Sequence, residues 1–155
     1  VSASRGSVIP FFADCVKNNA KFIPITDARM TRFWLELDQA VEMVIEVCDL
    51  MKGEELFVKK IPSVKVTDIA KAIAPNLEQQ IVGIRPGEKL HEMMISSDDS
   101  RNTIDIGKYY VILPEVTANQ RNQMVHEDFI YRSDINSEWL NVEQIAKFIK
   151  NYNLG

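Results

Sequence analysis

Helical and strand periodicities alternate along this chain, and this alternation limits its fold more than any other feature. Apolar residues recur at helical spacing in four segments, which are 8–19, 39–51, 67–74 and 142–151. Short runs typical of strands lie between or after these segments, at 22–25, 31–37, 55–58, 80–84, 103–106 and 109–113. We therefore predict an α/β fold built from short strands and helices.

Capping and turn residues support the boundaries of several elements. Ser7 and Asp38 are good N-caps for the first two helices, and Asn141 with Gln144 predicts a capping box before the last helix. Gly107-Lys108 predicts a two-residue hairpin turn. We predict one or two helical turns at 89–94 and a flexible loop at 114–123.

The apolar stripes predict which side chains face the core. We expect the first helix to bury Ile9, Phe12, Cys15 and Val16. We expect the second helix to bury a longer row, comprising Ala40, Val41, Val44, Val47, Cys48 and Met51. Cys15 and Cys48 are therefore predicted to be reduced core residues.

Composition indicates one folded region spanning residues 1–155. The chain is 46% hydrophobic and 26% charged, which suits a single compact core. A net charge of -4 argues against a nucleic-acid partner, because phosphate-backbone binding needs a basic face. Metal-ligand spacing, a long apolar run and a signal-like N-terminus are all missing, so we expect no metal, no membrane partner and a cytoplasmic location.

Two arginines stand beside residues that restrict or bury the backbone. Arg32 lies within Met30-Thr31-Arg32-Phe33-Trp34, and Arg85 opens Arg85-Pro86-Gly87-Glu88-Lys89. A guanidinium offers a planar fork of donors that matches pairs of phosphate oxygens. Pro86 and Gly87 predict a rigid turn that projects Arg85 and Glu88 from fixed points, although a solvated surface turn is the alternative for this motif alone.

A third segment could also bind an anion. Gly6 and Ser7 precede the first predicted helix, whose first backbone amides, including that of Val8, would lack intrahelical partners. An ordinary capped helix is the alternative here. Several other polar residues are predicted to be solvent-exposed, namely His91, His126, Asp98, Asp99, Asp128 and Asp134, whereas Trp34 and Trp139 are expected in a core or an interface.

Together these segments resemble one enzyme family. Ser-Arg-Gly-Ser-Val-Ile-Pro-Phe-Phe, Pro-Ile-Thr-Asp-Ala-Arg-Met-Thr-Arg-Phe-Trp and Gly-Ile-Arg-Pro-Gly-Glu-Lys-Leu-His-Glu are similar to the C-terminal half of inverting UDP-N-acetylglucosamine 4,6-dehydratases. Those are extended short-chain dehydrogenase/reductase enzymes. The resemblance implies the substrate-binding part of that fold, without the complete Rossmann half. It also implies an NADP-dependent lyase that serves polysaccharide, capsule or flagellin-sugar biosynthesis.

The resemblance also implies roles for matched residues. Arg32 and Arg85 would approach the UDP diphosphate, and Glu88 would accept hydrogen bonds from ribose hydroxyls. Gly6, Ser7 and Val8 would contact the nucleotide through their backbones, with Met30 packing near uracil or ribose. No residue of this chain is expected to be catalytic.

Two motifs of such enzymes are missing from this sequence. The six glycines never form a glycine-rich dinucleotide fingerprint, and no tyrosine has a lysine four residues later. We therefore expect a fragment that binds no cofactor by itself, is inactive alone, and has the missing N-terminal NADP-binding half or a homo-oligomer as its partner. A UDP-sugar epimerase fragment of the same superfamily and a non-catalytic UDP-sugar-binding or interaction module remain alternatives.

Overall fold

A computed structural model describes residues 7–151 and contains five α-helices within that range. They are α1 (Val8–Lys17), α2 (Leu37–Leu50), α3 (Val66–Ile73), α4 (Ser97–Ser100) and α5 (Val142–Asn151). Nine short strands accompany them: β1 (Phe22–Ile25), β2 (Thr31–Phe33), β3 (Leu56–Lys59), β4 (Ser63–Lys65), β5 (Glu78–Ile81), β6 (Met93–Ile95), β7 (Thr103–Asp105), β8 (Tyr109–Ile112) and β9 (Tyr131–Arg132). The predicted α/β class of short strands and helices is confirmed.

The strands form small sheets rather than one large sheet. β1 and β5 pair in parallel, whereas β2 pairs with β4, and β6 with β9, in antiparallel ladders. β3, β8 and β7 form a three-stranded antiparallel sheet with β8 in the centre. The predicted β7–β8 hairpin is confirmed, with Gly107 at a φ of 87° in the turn.

The main core lies where three helices meet β1 and β4. α3 packs against both α1 and α5, and the buried side chains of this cluster include Phe12, Ile23, Ile69 and Ile145. The capping box of α5 is confirmed, because Gln144 N donates to Asn141 Oδ1 over 2.9 Å and Asn141 N donates to Gln144 Oε1 over the same distance. This core supports β2 and α1, which border the site described below.

The predicted N-cap position is confirmed for α1 but not for α2. Ser7 occupies the N-cap position of α1, but its side chain makes no capping hydrogen bond. The second helix starts two residues earlier than predicted. Its cap is Glu36, which forms a capping box with Gln39, so Asp38 lies in the first turn instead.

The burial predicted for α2 is wrong. Within the described part of the chain, none of its residues is buried; Val44 is 63% exposed, and Cys48 is exposed rather than a core residue. Only Met43 and Val47 pack, partly buried, against the cluster beside β8. In α1, Ile9 and Phe12 are buried and Cys15 packs against the core, but Val16 is 41% exposed.

Four segments differ from their predicted form. The expected strand at 31–37 ends at Phe33, and the strand expected at 80–84 is formed by Glu78–Ile81. Residues 93–95 form β6 instead of helical turns, since they pair with β9. The loop expected at 114–123 contains a 3₁₀ helix, Ala118–Gln123.

Tyr131 anchors β9 to the chain between β3 and β4. Its hydroxyl accepts a hydrogen bond from Ile61 N over 2.8 Å and donates one to Ile61 O over 3.0 Å. Burial raises the pKa of Tyr131 to about 12, from an ordinary value of 10. Because the folded pKa lies above the unfolded one, Tyr131 contributes stability below pH 10, and that contribution is lost as the pH rises towards 12.

We expect Tyr131→Phe to lower the free energy of unfolding by about 1–3 kcal/mol at pH 8, because Ile61 N–H would stay buried without its acceptor. Since phenylalanine does not ionise, the difference from the unaltered chain should shrink as the pH is raised from 10 to 12. Urea denaturation at a series of pH values measures both effects. An unchanged difference across that range would contradict the titration argument.

Candidate functional site

A cavity of about 750 Å³ opens where the N-terminus of α1, the end of β1, β2, α3 and residues 85–92 come together. Six of the seven binding residues predicted from the sequence line it, namely Ser7, Val8, Met30, Arg32, Arg85 and Glu88. The seventh, Gly6, lies outside the described residues. Three segments far apart in sequence therefore meet at one concave surface, which is the usual shape of a small-molecule site.

The turn from Arg85 to Glu88 has the geometry predicted from Pro86 and Gly87. Glu88 N donates to Arg85 O over 3.1 Å, and Gly87 has a φ of 85°, as a type II turn requires. Glu88 Oε2 accepts a second hydrogen bond from Arg85 N over 2.9 Å. One carboxylate oxygen of Glu88 therefore holds the turn, which leaves Oε1 as the atom available for a ligand hydroxyl.

Arg85 is exposed at the mouth of the cavity. Its guanidinium forms no hydrogen bond or ion pair with another residue of the described range 7–151. Because β5 ends at Ile81 and not at residue 84 as expected, Arg85 lies four residues beyond the end of the strand. The rigid turn, rather than the strand, sets where its side chain starts.

Arg32 is more enclosed, with a side chain 28% exposed. Its Nη1 donates to Thr31 O over 2.7 Å and to Leu90 O over 3.2 Å, and its Nε lies 3.9 Å from Glu92 Oε1. Nη1 is thus engaged by two carbonyls, whereas among the described residues Nη2 contacts only the sulfur of Met30 at 3.9 Å and Nε makes no hydrogen bond. The donors on Nη2 are therefore available to a ligand.

Three carboxylates, of Asp14, Glu88 and Glu92, line the cavity beside the two arginines. Two of them accept hydrogen bonds from main-chain amides. Glu92 Oε2 accepts one from Phe33 N over 2.9 Å, and Glu88 Oε2 accepts one from Arg85 N over the same distance. Such bonds are charge-assisted, and each occupies one oxygen of the carboxylate. The cavity therefore combines two guanidinium groups with two carboxylates that are already hydrogen-bonded to the backbone.

The N-terminus of α1 borders the same cavity through Ser7, Val8 and Pro10. Because Ser7 makes no side-chain cap, and proline has no N–H, the amides of Val8 and Ile9 are the donors at this helix end. The positive end of the helix dipole adds to their attraction for an anion. Ser7 Oγ is itself buried and has no hydrogen-bond partner within the described residues.

Met30 and Trp34 form the apolar floor of the cavity. Both are 3% exposed and belong to the main core, where the Trp34 ring lies 6.0 Å from that of Phe148. The prediction that Trp34 is a core or interface aromatic is confirmed. Trp139 is 37% exposed, so it does not belong to the core.

His91 and Asp134, which are expected to be solvent-exposed, are only partly exposed, and both have partners in the structure. His91 Nδ1 lies 2.9 Å from Thr31 Oγ1, and His91 Nε2 lies 3.8 Å from Asp134 Oδ2. The side chains are 25% and 22% exposed. The Arg132 guanidinium, which donates to Asp134 Oδ1 over 2.6 Å, lowers the pKa of that carboxyl.

The loop before β2 is held by a local pair. Arg29 donates to both carboxylate oxygens of Asp27, over 3.0 Å and 2.8 Å, and these bonds lower the pKa of Asp27 to about 2. Asp27 therefore stays ionised throughout the physiological range. Asp99 is likewise engaged rather than free, because Ser96 donates to it at the start of α4 and lowers its pKa.

Sequence reasoning missed Glu92, although this residue lines the cavity and contacts the backbone beside Arg32. It also missed Ser133, which is fully buried and 102 residues from its partner Thr31. No local pattern indicates a pair so distant in sequence. Glu92 had a local signal, since it ends the same short motif as Arg85, at a point where the chain returns to β2.

Three further properties of the described residues bear on ligands. No group of three or more His, Cys, Asp and Glu side chains in residues 7–151 could hold a metal ion. None of the helices in that range is long and apolar enough to cross a membrane. The positive-φ glycines, at 53, 83, 87 and 107, lie in turns and loops that do not lead into a helix, so this part of the chain has no dinucleotide-binding loop.

Comparison with known proteins places the chain in a family. Residues 1–114 match the family model described as polysaccharide biosynthesis protein. This chain belongs to that family. It is 45% identical, over 96% of its length, to the inverting UDP-N-acetylglucosamine 4,6-dehydratase of Campylobacter jejuni, of which it covers 48%. The resemblance inferred from the motifs is confirmed.

More distant relatives extend the comparison. The UDP-glucose 4-epimerase of Rickettsia bellii is 31% identical over 97% of this chain, which covers 47% of that protein. The X-ray structure of Pen from Bacillus thuringiensis superposes with a TM-score of 0.81 at 31% identity, over 99% of this chain and 47% of that one. The chain thus spans about half the length of the relatives it matches.

Proposed function

We propose that this chain is the UDP-sugar-binding half of an NADP-dependent UDP-N-acetylglucosamine 4,6-dehydratase. The observation that carries the proposal is the meeting of Arg32, Arg85 and the N-terminus of α1 at one cavity. Two guanidinium groups and a helix N-terminus suit the charge of a diphosphate. The 45% identity to the Campylobacter jejuni enzyme favours this substrate class.

Each lining residue has a proposed role. Arg85 and the Nη2 group of Arg32 bind the diphosphate, while Glu88 Oε1 accepts a hydrogen bond from a ribose hydroxyl. Ser7 and Val8 contact the nucleotide through backbone groups, and Met30 packs against uracil or ribose. Gly6 keeps the same proposed role beside them, since a glycine lets a ligand approach the chain closely.

In the complete enzyme, the proposed reaction oxidises C4 of the sugar, removes water across C5 and C6, and inverts C5 to give a UDP-4-keto-6-deoxy-hexosamine. The hydride removed from C4 would pass to NADP and then return to C6 after the loss of water, so that the cofactor would regain its starting oxidation state. The glycines of residues 7–151 do not fit a dinucleotide, so we assign that cofactor to the other half of the protein. The proposed setting is bacterial capsule or flagellar sugar biosynthesis.

Epimerase chemistry is the second candidate, favoured by the 31% identity to the Rickettsia bellii protein. Both candidates need the same diphosphate site, so this chain's cavity serves either one. The identity difference, 45% against 31%, supports the dehydratase. A non-catalytic UDP-sugar-binding or interaction module remains the third alternative.

The other half of the longer protein is also the proposed partner, and α2 supplies the surface for it. An apolar row along α2 is exposed to solvent, and we call it the α2 stripe: Leu37, Val41, Val44, Ile45 and Cys48. These positions share one helical face, and helices normally bury such a face. Because the relatives are about twice as long as this chain, the segment they have in addition is the proposed occupant.

Two further parts of the proposal concern assembly and location. The complete protein is proposed to form a homo-oligomer, as most soluble oligomers are built from identical chains. We propose a cytoplasmic location because Cys15 and Cys48 are unpaired, and free thiols persist in reducing compartments.

Calorimetric titration of the chain with UDP, UMP and uridine tests the proposed site. We expect UDP to bind more tightly than UMP, and uridine most weakly, because each phosphate adds charge-assisted hydrogen bonds worth about 1.5–3 kcal/mol. UDP-N-acetylglucosamine should bind at least as tightly as UDP. Equal affinities for UDP and uridine, or no heat from any of the ligands, would refute the diphosphate site.

A further inference from the structure

Two buried hydroxyl groups lie directly behind the arginine of β2. Ser133 is fully buried and Thr31 is 4% exposed, and their Oγ atoms are 2.6 Å apart. We call them the hydroxyl pair. Thr31 Oγ1 also lies 2.9 Å from His91 Nδ1, and Ser133 Oγ accepts a hydrogen bond from Glu92 N over 2.9 Å.

One arrangement of hydrogen atoms gives every group in this hydrogen-bond network a partner. Since Ser133 Oγ accepts from Glu92 N, its own hydrogen is free for Thr31 Oγ1. Thr31 then donates to His91 Nδ1, in the tautomer that carries its hydrogen on Nε2. A buried network in which every donor has an acceptor makes the local structure rigid.

Main-chain bonds connect the hydroxyl pair to the cavity. Thr31 N donates to Leu90 O over 3.0 Å, and Ser133 N donates to Glu92 O over 2.8 Å. The hydroxyl pair and these two bonds thus hold residues 90–92 between β2 and the chain after β9. The carbonyls of Thr31 and Leu90 in turn accept the two Nη1 bonds of Arg32.

Glu92 completes the connection from the other side. Its carboxylate accepts a hydrogen bond from Phe33 N and lies 3.9 Å from Arg32 Nε. Its backbone N–H donates to Ser133 Oγ, and its backbone carbonyl accepts a hydrogen bond from Ser133 N. Every group that orients the Arg32 guanidinium, apart from Met30, therefore lies on a segment that the hydroxyl pair fixes. Rigid support of this kind determines how well a binding group is positioned.

We propose that Thr31 and Ser133 are positioning residues for diphosphate recognition, acting through Arg32 and with His91 as the terminal acceptor. They keep the Nη2 donors of Arg32 directed to the cavity without touching the ligand. This inference rests on the proposed function and deepens it, because it assigns specificity for the diphosphate to a segment, 131–134, that lies far from the binding motifs in sequence.

The test measures UDP affinity by calorimetry and uridine affinity by competition against UDP. Thr31→Val keeps the shape of the side chain and removes its hydroxyl, whereas Thr31→Ser keeps the hydroxyl. We expect Thr31→Val and Ser133→Ala each to weaken UDP binding about three- to tenfold and to leave uridine unchanged, as the loss of one buried hydrogen bond implies. Thr31→Ser should stay within about twofold of the unaltered chain.

Ser100→Ala is the matched control, because Ser100 is also fully buried and bonds two backbone carbonyls, those of Ser97 and Glu127. It should leave UDP affinity unchanged. A double-mutant cycle with Arg32→Ala isolates the positioning role, since in that background Ser133→Ala should have no further effect on UDP. Thermal unfolding of each variant confirms that the protein tested is folded.

Three results would overturn the positioning role while the unaltered chain still binds UDP. They are equal losses for UDP and uridine, an equal loss from Ser100→Ala, and losses that add in the Arg32→Ala background. Failure of the unaltered chain to bind UDP would instead refute the proposed function, and the positioning role with it. The two failures are therefore distinguishable.

Discussion

Arg85→Ala is expected to weaken the binding of UDP by about tenfold or more, which corresponds to about 1.4 kcal/mol. Arg85 starts from a turn held by two hydrogen bonds with Glu88, so its side chain extends from a fixed point. Its guanidinium has no competing ion pair among the described residues, so all of its N–H donors are available to a bound phosphate. Calorimetric titration with UDP measures the change.

Two further variants separate charge from shape. Lys89→Ala removes a neighbouring exposed cation that does not line the cavity, and it should change UDP affinity by less than about twofold. Arg85→Lys keeps the charge but loses the planar fork, so its affinity should fall between those of the unaltered chain and Arg85→Ala. Equal heats for Arg85→Ala and the unaltered chain would remove Arg85 from the site.

The second large effect concerns turnover. We expect the chain alone to form no 4-keto product from UDP-N-acetylglucosamine, even with added NADP, because the proposed cofactor site and catalytic pair belong to the other half. Coexpression with the N-terminal half of the Campylobacter jejuni relative should give a complex that forms the product. Mass spectrometry of the reaction mixture detects a ketone through its mass and its hydrate. A 4-keto product from this polypeptide alone would refute the division of labour.

The α2 stripe gives this experiment its control. Val44→Asp places a charge in the middle of the stripe and should prevent copurification of the two halves, because a charge cannot be buried there without a partner. Ile135→Asp changes a comparably exposed residue outside α2, 56% against 63%, and should leave the complex intact. If Val44→Asp leaves copurification intact but dissociates an oligomer of this chain into monomers, a second copy of the chain occupies the α2 stripe and the proposed partner is wrong.

Local patterns predicted the parts of the fold whose hydrogen bonds are local. The β7–β8 turn at Gly107, the capping box of Asn141 and Gln144, and the Arg85–Glu88 turn are each closed within four residues. In these cases the identity of a few neighbouring residues sets the backbone conformation. The same reasoning explains why the binding residues could be proposed from short motifs.

Burial and pairing over long distances were predicted less well. Apolar periodicity identified α2 as an amphipathic helix, but periodicity does not state whether another part of the chain covers the apolar face, and α2 has no buried residue. Residues 93–95 became a strand because β9 lies beside them, and Cys48 is exposed because α2 is. Each error comes from a contact, or a missing contact, that sequence spacing does not encode.

The amino-acid sequence by itself determined the α/β class, the turns and caps, and the motifs that resemble an inverting dehydratase, since these depend on residues close together along the chain. Only the tertiary structure decided that those motifs line one cavity, that the Arg32 guanidinium rests on the carbonyls of Thr31 and Leu90, and that Ser133 lies behind it. Such arrangements depend on packing and hydrogen bonds between residues as many as 102 positions apart, which form only when the whole chain folds.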